Sequence, residues 1–422
     1  MSARSVMMSA GAAALLFTLA GCAGSAPPPS ASPTPDSVSS VDGGSRTDPA
    51  GGWIALSAGW EAGDIMLGSG GGDAAHRIVG ADGDGILRQC PAFAPDGVRL
   101  AFGSSAGTDG DWHDVALVIA EVSADGQASV TQQFALDGLT NGPCPIWSPD
   151  GQHIAFGALT DGRRPVVPAS EVWILDVGTG EIERVTGLRT TDIEWDPDGS
   201  RLYIADDSGI LAYSLTDSRT RTIDDTAPAN ALTVSPDGGM LAVERRRVSA
   251  ADRYELWLMD EDGSGQRKVV EEYPRMHGIG PVWSSDGAHI VFQRTRETCA
   301  TTGEPTDNCP EQHEVVVLTL GIADSAVPAV TEAVLAPPQT GEGDDALLWF
   351  PYSVVWSPDG SALLFLGWPE ARDALGDVVL GPEGVLVTSV DGTAPPVIVH
   401  QGDGIRVYSS KPMNTFQSWA VG

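Results

Sequence analysis

Basic residues are scarce in this chain. Its only lysines are Lys268 and Lys411, and arginine raises the basic total to just 24 against 57 acidic residues. The formal charge of −33 excludes a protein that grips nucleic acid or an anionic lipid surface by charge, since both need a basic face. The five cysteines contain no Cys-x-x-Cys pair, which argues against a zinc site. The histidines are His76, His113, His153, His277, His289, His313 and His400. No two of them share a spacing suited to a metal. The apolar run from Ala10 to Ala20 is too short for a transmembrane helix. No motif supplies a nucleophile, a metal triad or a cofactor loop. Neither a catalytic residue nor a cofactor or metal is therefore expected, and a nucleic-acid partner is excluded.

What is present begins with a targeting segment. Arg4 gives a basic start, the short apolar run follows, and Leu19-Ala20-Gly21-Cys22 matches the lipobox of exported lipoproteins. Residues 1–21 are expected to be a signal peptide, with Cys22 the lipidated first residue of the mature chain. Acyl chains on Cys22 would anchor the protein to the outer face of the cytoplasmic membrane. Residues 22–50 are rich in Ser, Pro, Gly and Thr and read as a disordered tether. The other four cysteines form an even set in an exported chain, which implies disulfides. Cys299 and Cys309 share one polar loop and are expected to pair. Cys90 and Cys144 each lie three residues before an aromatic, Phe93 and Trp147, and are expected to bridge neighbouring repeats.

Residues 51–422 are repetitive. Ala94-Pro95-Asp96-Gly97 returns as Ser148-Pro149-Asp150-Gly151, Asp196-Pro197-Asp198-Gly199, Ser235-Pro236-Asp237-Gly238, Ser284-Ser285-Asp286-Gly287 and Ser357-Pro358-Asp359-Gly360. Pro sets φ for the second position of a type I turn, Asp tolerates the third, and Gly takes the left-handed conformation after it. Such a turn joins two antiparallel strands. An aromatic residue usually precedes the phrase, and a run such as Ile154-Ala155-Phe156 follows. A third strand, a second Gly turn and a fourth strand come next. Four short antiparallel strands per repeat are the pattern of a propeller blade.

On these residues the chain resembles the TolB-type propeller repeats, from about Trp53 to Gly422. The resemblance implies an all-β propeller and, for most members, binding of proteins or other ligands. It also reaches oligogalacturonate lyases, whose metal-binding histidine cluster finds no matching positions here. Six turns mark six blades. Ile54-Ala55-Leu56, Asp64–Leu67 and His76–Val79 look like a further blade without its first strand, and Thr415–Ala420 looks like that missing strand. Seven four-stranded blades are expected, with six or eight as the alternatives. Pairing of the terminal strands would close the ring and hide its sheet edges.

In such a blade the first-to-second and third-to-fourth turns share one rim. The compact Asp-Gly turns all fall there. The irregular segments Ser104–Asp114, Leu159–Ser170, Arg245–Tyr254, Gln293–Glu314, Ala336–Tyr352 and Gly367–Gly384 fall on the opposite rim, where binding is expected. Arg88, Gln89, Asp192, Asn230, His277, Tyr352 and Asn414 are expected just before the inner strands and are the candidate ligand-binding residues at the channel mouth on this rim. Trp349, Phe350 and Tyr352 either line a pocket or begin the next inner strand.

Two motifs tempt. Gly103-Ser104-Ser105-Ala106-Gly107 fits the G-x-S-x-G pattern, but a nucleophile there needs a strand-to-helix elbow with a His and an acid nearby. Asp260–Glu271 mimics a calcium loop, but it occupies the slot of an ordinary hairpin. Asp206-Asp207, Asp224-Asp225 and Asp344-Asp345 read as solvated turns. The sequence thus points to a monomeric, lipid-anchored binding propeller that recognises a protein or envelope ligand. The alternative is an exported enzyme acting on carbohydrate or peptide at the channel mouth.

Overall fold

The computed structural model describes residues 52–58, 63–69, 75–80, 84–107, 113–139, 143–158, 170–247, 253–274, 280–297, 311–321, 330–340, 347–372, 378–380, 384–390, 396–401 and 405–406. Every regular element among them is a β-strand. The expected signal peptide and tether, Cys22, His277, Cys299, Cys309 and Asn414 lie outside the described residues.

The strands form seven antiparallel blades. Blade 1 contains β1 (Trp53–Ala58), β2 (Asp64–Ser69) and β3 (His76–Val79). Blade 2 contains β4 (Ile86–Phe93), β5 (Arg99–Ala106), β6 (His113–Val122) and β7 (Ala128–Ala135). Blade 3 contains β8 (Ile146–Trp147), β9 (His153–Ala158), β10 (Ser170–Asp176) and β11 (Ile182–Thr190). Blade 4 contains β12 (Asp192–Trp195), β13 (Arg201–Asp206), β14 (Gly209–Ser214) and β15 (Arg219–Asp224). Blade 5 contains β16 (Ala229–Val234), β17 (Met240–Arg246), β18 (Arg253–Asp260) and β19 (Arg267–Pro274). Blade 6 contains β20 (Val282–Trp283), β21 (His289–Glu297), β22 (Glu311–Leu320) and β23 (Val330–Leu335). In blade 7, β24 (Gln339–Thr340) pairs with β25 (Leu347–Trp356), and β27 (Val378–Leu380) pairs with β26 (Ala362–Arg372). Its remaining strands are β28 (Gly384–Ser389) and β29 (Val397–Gln401). Finally β30 (Ile405–Arg406) pairs with β1.

That last pair closes the ring between the chain's ends, as a ring with protected edges requires. The closing strand observed is Ile405–Arg406. Thr415–Ala420, the segment expected to close the ring, lies outside the described residues.

Alternation along each strand explains the packing. In β5, Leu100 and Phe102 face blade 1 while Ala101 faces blade 3. In β13, Leu202 and Ile204 face blade 3 while Tyr203 faces blade 5. Both faces of a blade are therefore apolar, and each pair of neighbours encloses one cluster. Among the described residues seven such clusters exist, and one of them joins Ile54 and Leu56 of blade 1 to Leu364, Leu366 and Val385 of blade 7. Buried side chains of this kind contribute about 1.5–3 kcal/mol each.

The repeated turn folds as its residues require. In all six copies the Gly N–H donates to the carbonyl three residues back, at 2.8–3.0 Å. The six glycines have φ between 66° and 76°, a region that disfavours side-chain-bearing residues. Where the phrase starts with Ser, its Oγ donates to the turn Asp and accepts the N–H that opens the second strand. Ser235, Ser284 and Ser357 do this at 2.6 Å to Asp and 2.8–2.9 Å from the N–H. Ser148 makes the same pair of bonds. The phrase thus spends its own polar atoms on itself.

The longer segments are more regular than their sequences suggest. β21 and β22 stay paired out to Glu297 and Glu311, inside the expected Gln293–Glu314 loop. β24 and β25 occupy much of Ala336–Tyr352. Trp349 is buried in β25, and its indole donates to Thr340 Oγ1 at 2.9 Å. It begins the inner strand of blade 7 as core. Tyr352 lies in the same strand, at a register shift.

Candidate functional site at the loop-rich rim

Chain direction fixes which strand ends share a rim. First and third strands begin, and second and fourth strands end, at the rim opposite the Pro-Asp-Gly turns. At these ends lie the buried charged residues Asp192, Asp206, Asp224, Glu244, Arg245 and Glu314. On the turn rim the buried polar set is instead the turn residues Ser148, Asp196, Ser235, Ser284 and Ser357.

Three networks run from strand ends on the loop-rich rim into the blades. In the first, Arg245 at the end of β17 reaches Asp224 at the end of β15, with Nη2 2.7 Å from Oδ2. The same nitrogen donates to Gln266 Oε1 at 3.0 Å, and Gln266 Nε2 donates back to Asp224 Oδ1 at 3.2 Å. The guanidinium lies 4.6 Å over the Trp257 ring. Burial pushes the Asp224 carboxyl upward, but bonds from Thr226 and the Arg245 charge outweigh it, and the group titrates below its ordinary range. In the second network Glu244, fully buried, accepts from Asn230 Nδ2 at 2.8 Å and from the Tyr273 hydroxyl at 2.7 Å. In the third, Arg294 bridges Glu314 at 2.7 Å and Glu332 at 2.6 Å. A carboxylate out of water persists only when so paired.

The expected channel-mouth residues have partners of their own. Arg88 binds Asp84 at 2.6 Å and its own strand's Ile86 carbonyl at 3.3 Å. Gln89 is buried in β4. Asp192 joins two inner strands, accepting from Ile193 N and from Leu232 N of the next blade, both at 2.9 Å. Asn230 supports Glu244. Of these residues, Asn230 is brought into one of the braces. His277 and Asn414 lie outside the described residues, as does the side chain of Tyr352.

Cys90 and Cys144 are bonded, with Cα atoms 5.0 Å apart. The bridge ties β4 of blade 2 to the segment leading into β8 of blade 3. Asp206 and Asp224 are buried and so differ from the solvated turns expected. Asp206 caps a tight connection by accepting from Ser208 N at 2.6 Å and Gly209 N at 3.0 Å. Blade 4 therefore carries a short turn even on the loop-rich rim. Ser105 lies within β5, buried, with its hydroxyl unpartnered. It sits within a strand and on no strand-to-helix elbow. Asp260–Gly265 is a hairpin turn between β18 and β19, with Gly263 N donating to the Asp260 carbonyl at 2.9 Å. Among the described residues no three His, Cys, Asp or Glu side chains converge as a metal set. His76 bonds the Gly126 carbonyl, and His153 and His289 lie beside Trp195 and Trp356. The lyase-type histidine cluster has no counterpart among them.

Comparison with known proteins came to structures alone: no family model and no curated protein matches the chain. The chain is similar to TolB from Acinetobacter baumannii at 20% identity, TM-score 0.43, over 67% of this chain and 66% of that one, just under two thirds of its length. It is similar to an oligogalacturonate lyase from Vibrio parahaemolyticus at 15% identity, TM-score 0.48, over 83% and 86%. It is also similar to the periplasmic gluconolactonase of Pseudomonas aeruginosa at 15% identity, TM-score 0.45, over 82% and 99%. These neighbours include both TolB proteins and enzymes. Likeness at this distance assigns no activity.

Proposed function

We propose that this protein is a lipid-anchored, extracytoplasmic binding propeller that recognises a protein or envelope ligand through its loop-rich rim. One observation carries the reading: Glu244 and Arg245 at the root of the β17–β18 connection, and Glu314 at the root of the β21–β22 connection, are cross-braced to other strands. A platform held in this way pre-pays the ordering that recognition needs. The named carboxylates are engaged by arginine, amide, hydroxyl or backbone donors, which suits a scaffold better than acid–base chemistry.

The anchor rests on Leu19-Ala20-Gly21-Cys22. Cys22→Ala is expected to move the protein from the membrane fraction to the soluble exported fraction, and retention at the membrane would count against lipidation. The second expected disulfide is supported by register. β21 and β22 pair without a shift from His289↔Thr319 to Glu297↔Glu311, and Cys299 and Cys309 stand two residues beyond those last partners. Mass mapping of non-reduced peptides should recover them joined. For the working rim, Asp207→Arg reverses the charge of an exposed turn residue on that rim (side chain 82% exposed) and gives up its surface pair with Arg246. It is expected to weaken envelope association with little change in melting temperature, since an exposed pair contributes about 0–1 kcal/mol. Equal weakening by Val98→Arg, on the turn rim, would contradict the assignment.

A further inference from the structure

The turn rim closes by a repeated device. The first residue of a second strand covers the indole of the next blade: the Arg99 guanidinium lies 4.8 Å from the Trp147 ring, His153 6.4 Å from Trp195 and His289 6.0 Å from Trp356. Each indole then donates to an inner-strand carbonyl of the preceding blade. Trp147 reaches Ala92 at 3.0 Å, Trp195 reaches Ile146 at 3.1 Å, and Trp356 reaches Val282 at 3.1 Å.

The interface of blades 5 and 6 departs from this device twice. The covering residue is Met240, and the Trp283 indole nitrogen is buried with no hydrogen-bond partner. An unmet buried donor destabilises the interface that holds it. A cleft of about 600 Å³ opens there, lined by Pro236, Met240, Trp283 and Leu320 with Asp237 and Asp286 beside them. Bonds from Ser235 and Gly239 to Asp237, and from Ser284 and Ala288 to Asp286, hold both carboxyls below their ordinary range. Both are therefore charged at neutral pH.

We propose that this cleft binds a cationic side chain flanked by apolar residues on an extended peptide segment. The aliphatic stem and its apolar neighbours lie on Met240, Trp283 and Leu320. The cation meets Asp237 and Asp286. The two carboxylates exclude an anionic ligand, and the charge of −33 steers cations toward the surface. This site lies on the rim opposite the proposed recognition face and is independent of it.

The test is NMR of the ¹⁵N-labelled intact chain, with the Trp283 indole signal assigned by its loss in Trp283→Phe. Acetyl-Leu-Lys-Leu-amide should move that signal saturably, and acetyl-Leu-Glu-Leu-amide should leave it in place. Asp286→Asn keeps an acceptor for the turn but removes the charge, and is expected to weaken the lysine peptide about tenfold. Ala288→Trp fills the cleft and should abolish the shift. A Trp283 signal unmoved by the lysine peptide would overturn the proposal. So would an equal response to both peptides, or unchanged binding in Asp286→Asn.

Discussion

The repeated turns of one rim and the braces of the other satisfy their polar groups in opposite ways. On the turn rim the repeated Ser and Asp side chains bond within their own hairpin, within five residues of chain. On the loop-rich rim Arg245 reaches back 21 residues to Asp224, and Tyr273 reaches 29 residues to Glu244. Local satisfaction builds a module that can be copied from blade to blade. Non-local satisfaction builds a surface unlike that of any other blade, which is what selective recognition requires.

The largest expected effect comes from breaking a non-local brace. Arg245→Met leaves Asp224 buried without its counter-charge, and unfolding by urea should show a loss of about 3–5 kcal/mol. The equivalent cut on the turn rim, Arg99→Met, removes a half-exposed pair with Asp96 and should cost no more than about 1 kcal/mol. Equal losses would erase the contrast between the rims. Next, replacing Cys90 and Cys144 by Ser frees a 54-residue separation and should cost about 2–4 kcal/mol in the same assay.

Acid should act on the turn rim through many small contributions. Asp96, Asp150, Asp198, Asp237, Asp286 and Asp359 all titrate below their ordinary range. Bonds from the turn itself hold Asp198, Asp237 and Asp286 down. In Asp96, Asp150 and Asp359 burial pushes upward and those bonds outweigh it. A depressed folded pKa stabilises fully above the unfolded carboxylate value, near about 3.9. That stability is lost as pH falls through the folded value. Melting temperatures should hold at neutral pH and decline below about pH 4. The smallest effect sharpens the exception at blades 5 and 6. Trp195→Phe forfeits a hydrogen bond and should cost about 1 kcal/mol, whereas Trp283→Phe, with no bond to lose, should cost clearly less.

The same contrast explains what could be read from the sequence. The six Pro-Asp-Gly turns, the apolar alternation and the seven blades were legible because each is encoded within a few adjacent residues. Closure between the terminal strands was legible, but the pair formed by β30 was not, because β30 is two residues long and carries no periodicity of its own. The braces were not legible, because Asp224, Gln266 and Arg245 meet only once blades 4 and 5 are folded. One hint existed: Glu244 and Arg245 run straight on from Leu241-Ala242-Val243, where blades 2 and 3 have Gly103 and Gly157. Charge continuing a buried strand signals a paired interior group. The expected loops of blades 6 and 7 proved partly strand because paired ribbons beyond the blade show no distinct hydrophobic pattern.

A photo-cross-linking scan in intact cells tests the assignment of the working face most directly. A photoreactive side chain is placed in turn at Asp207 and Arg247 on the loop-rich rim and at Val98 and Asp125 on the turn rim, away from the cleft of blades 5 and 6. Discrete envelope adducts are expected from Asp207 or Arg247, with none from Val98 or Asp125. Adducts confined to Val98 or Asp125 would contradict the account.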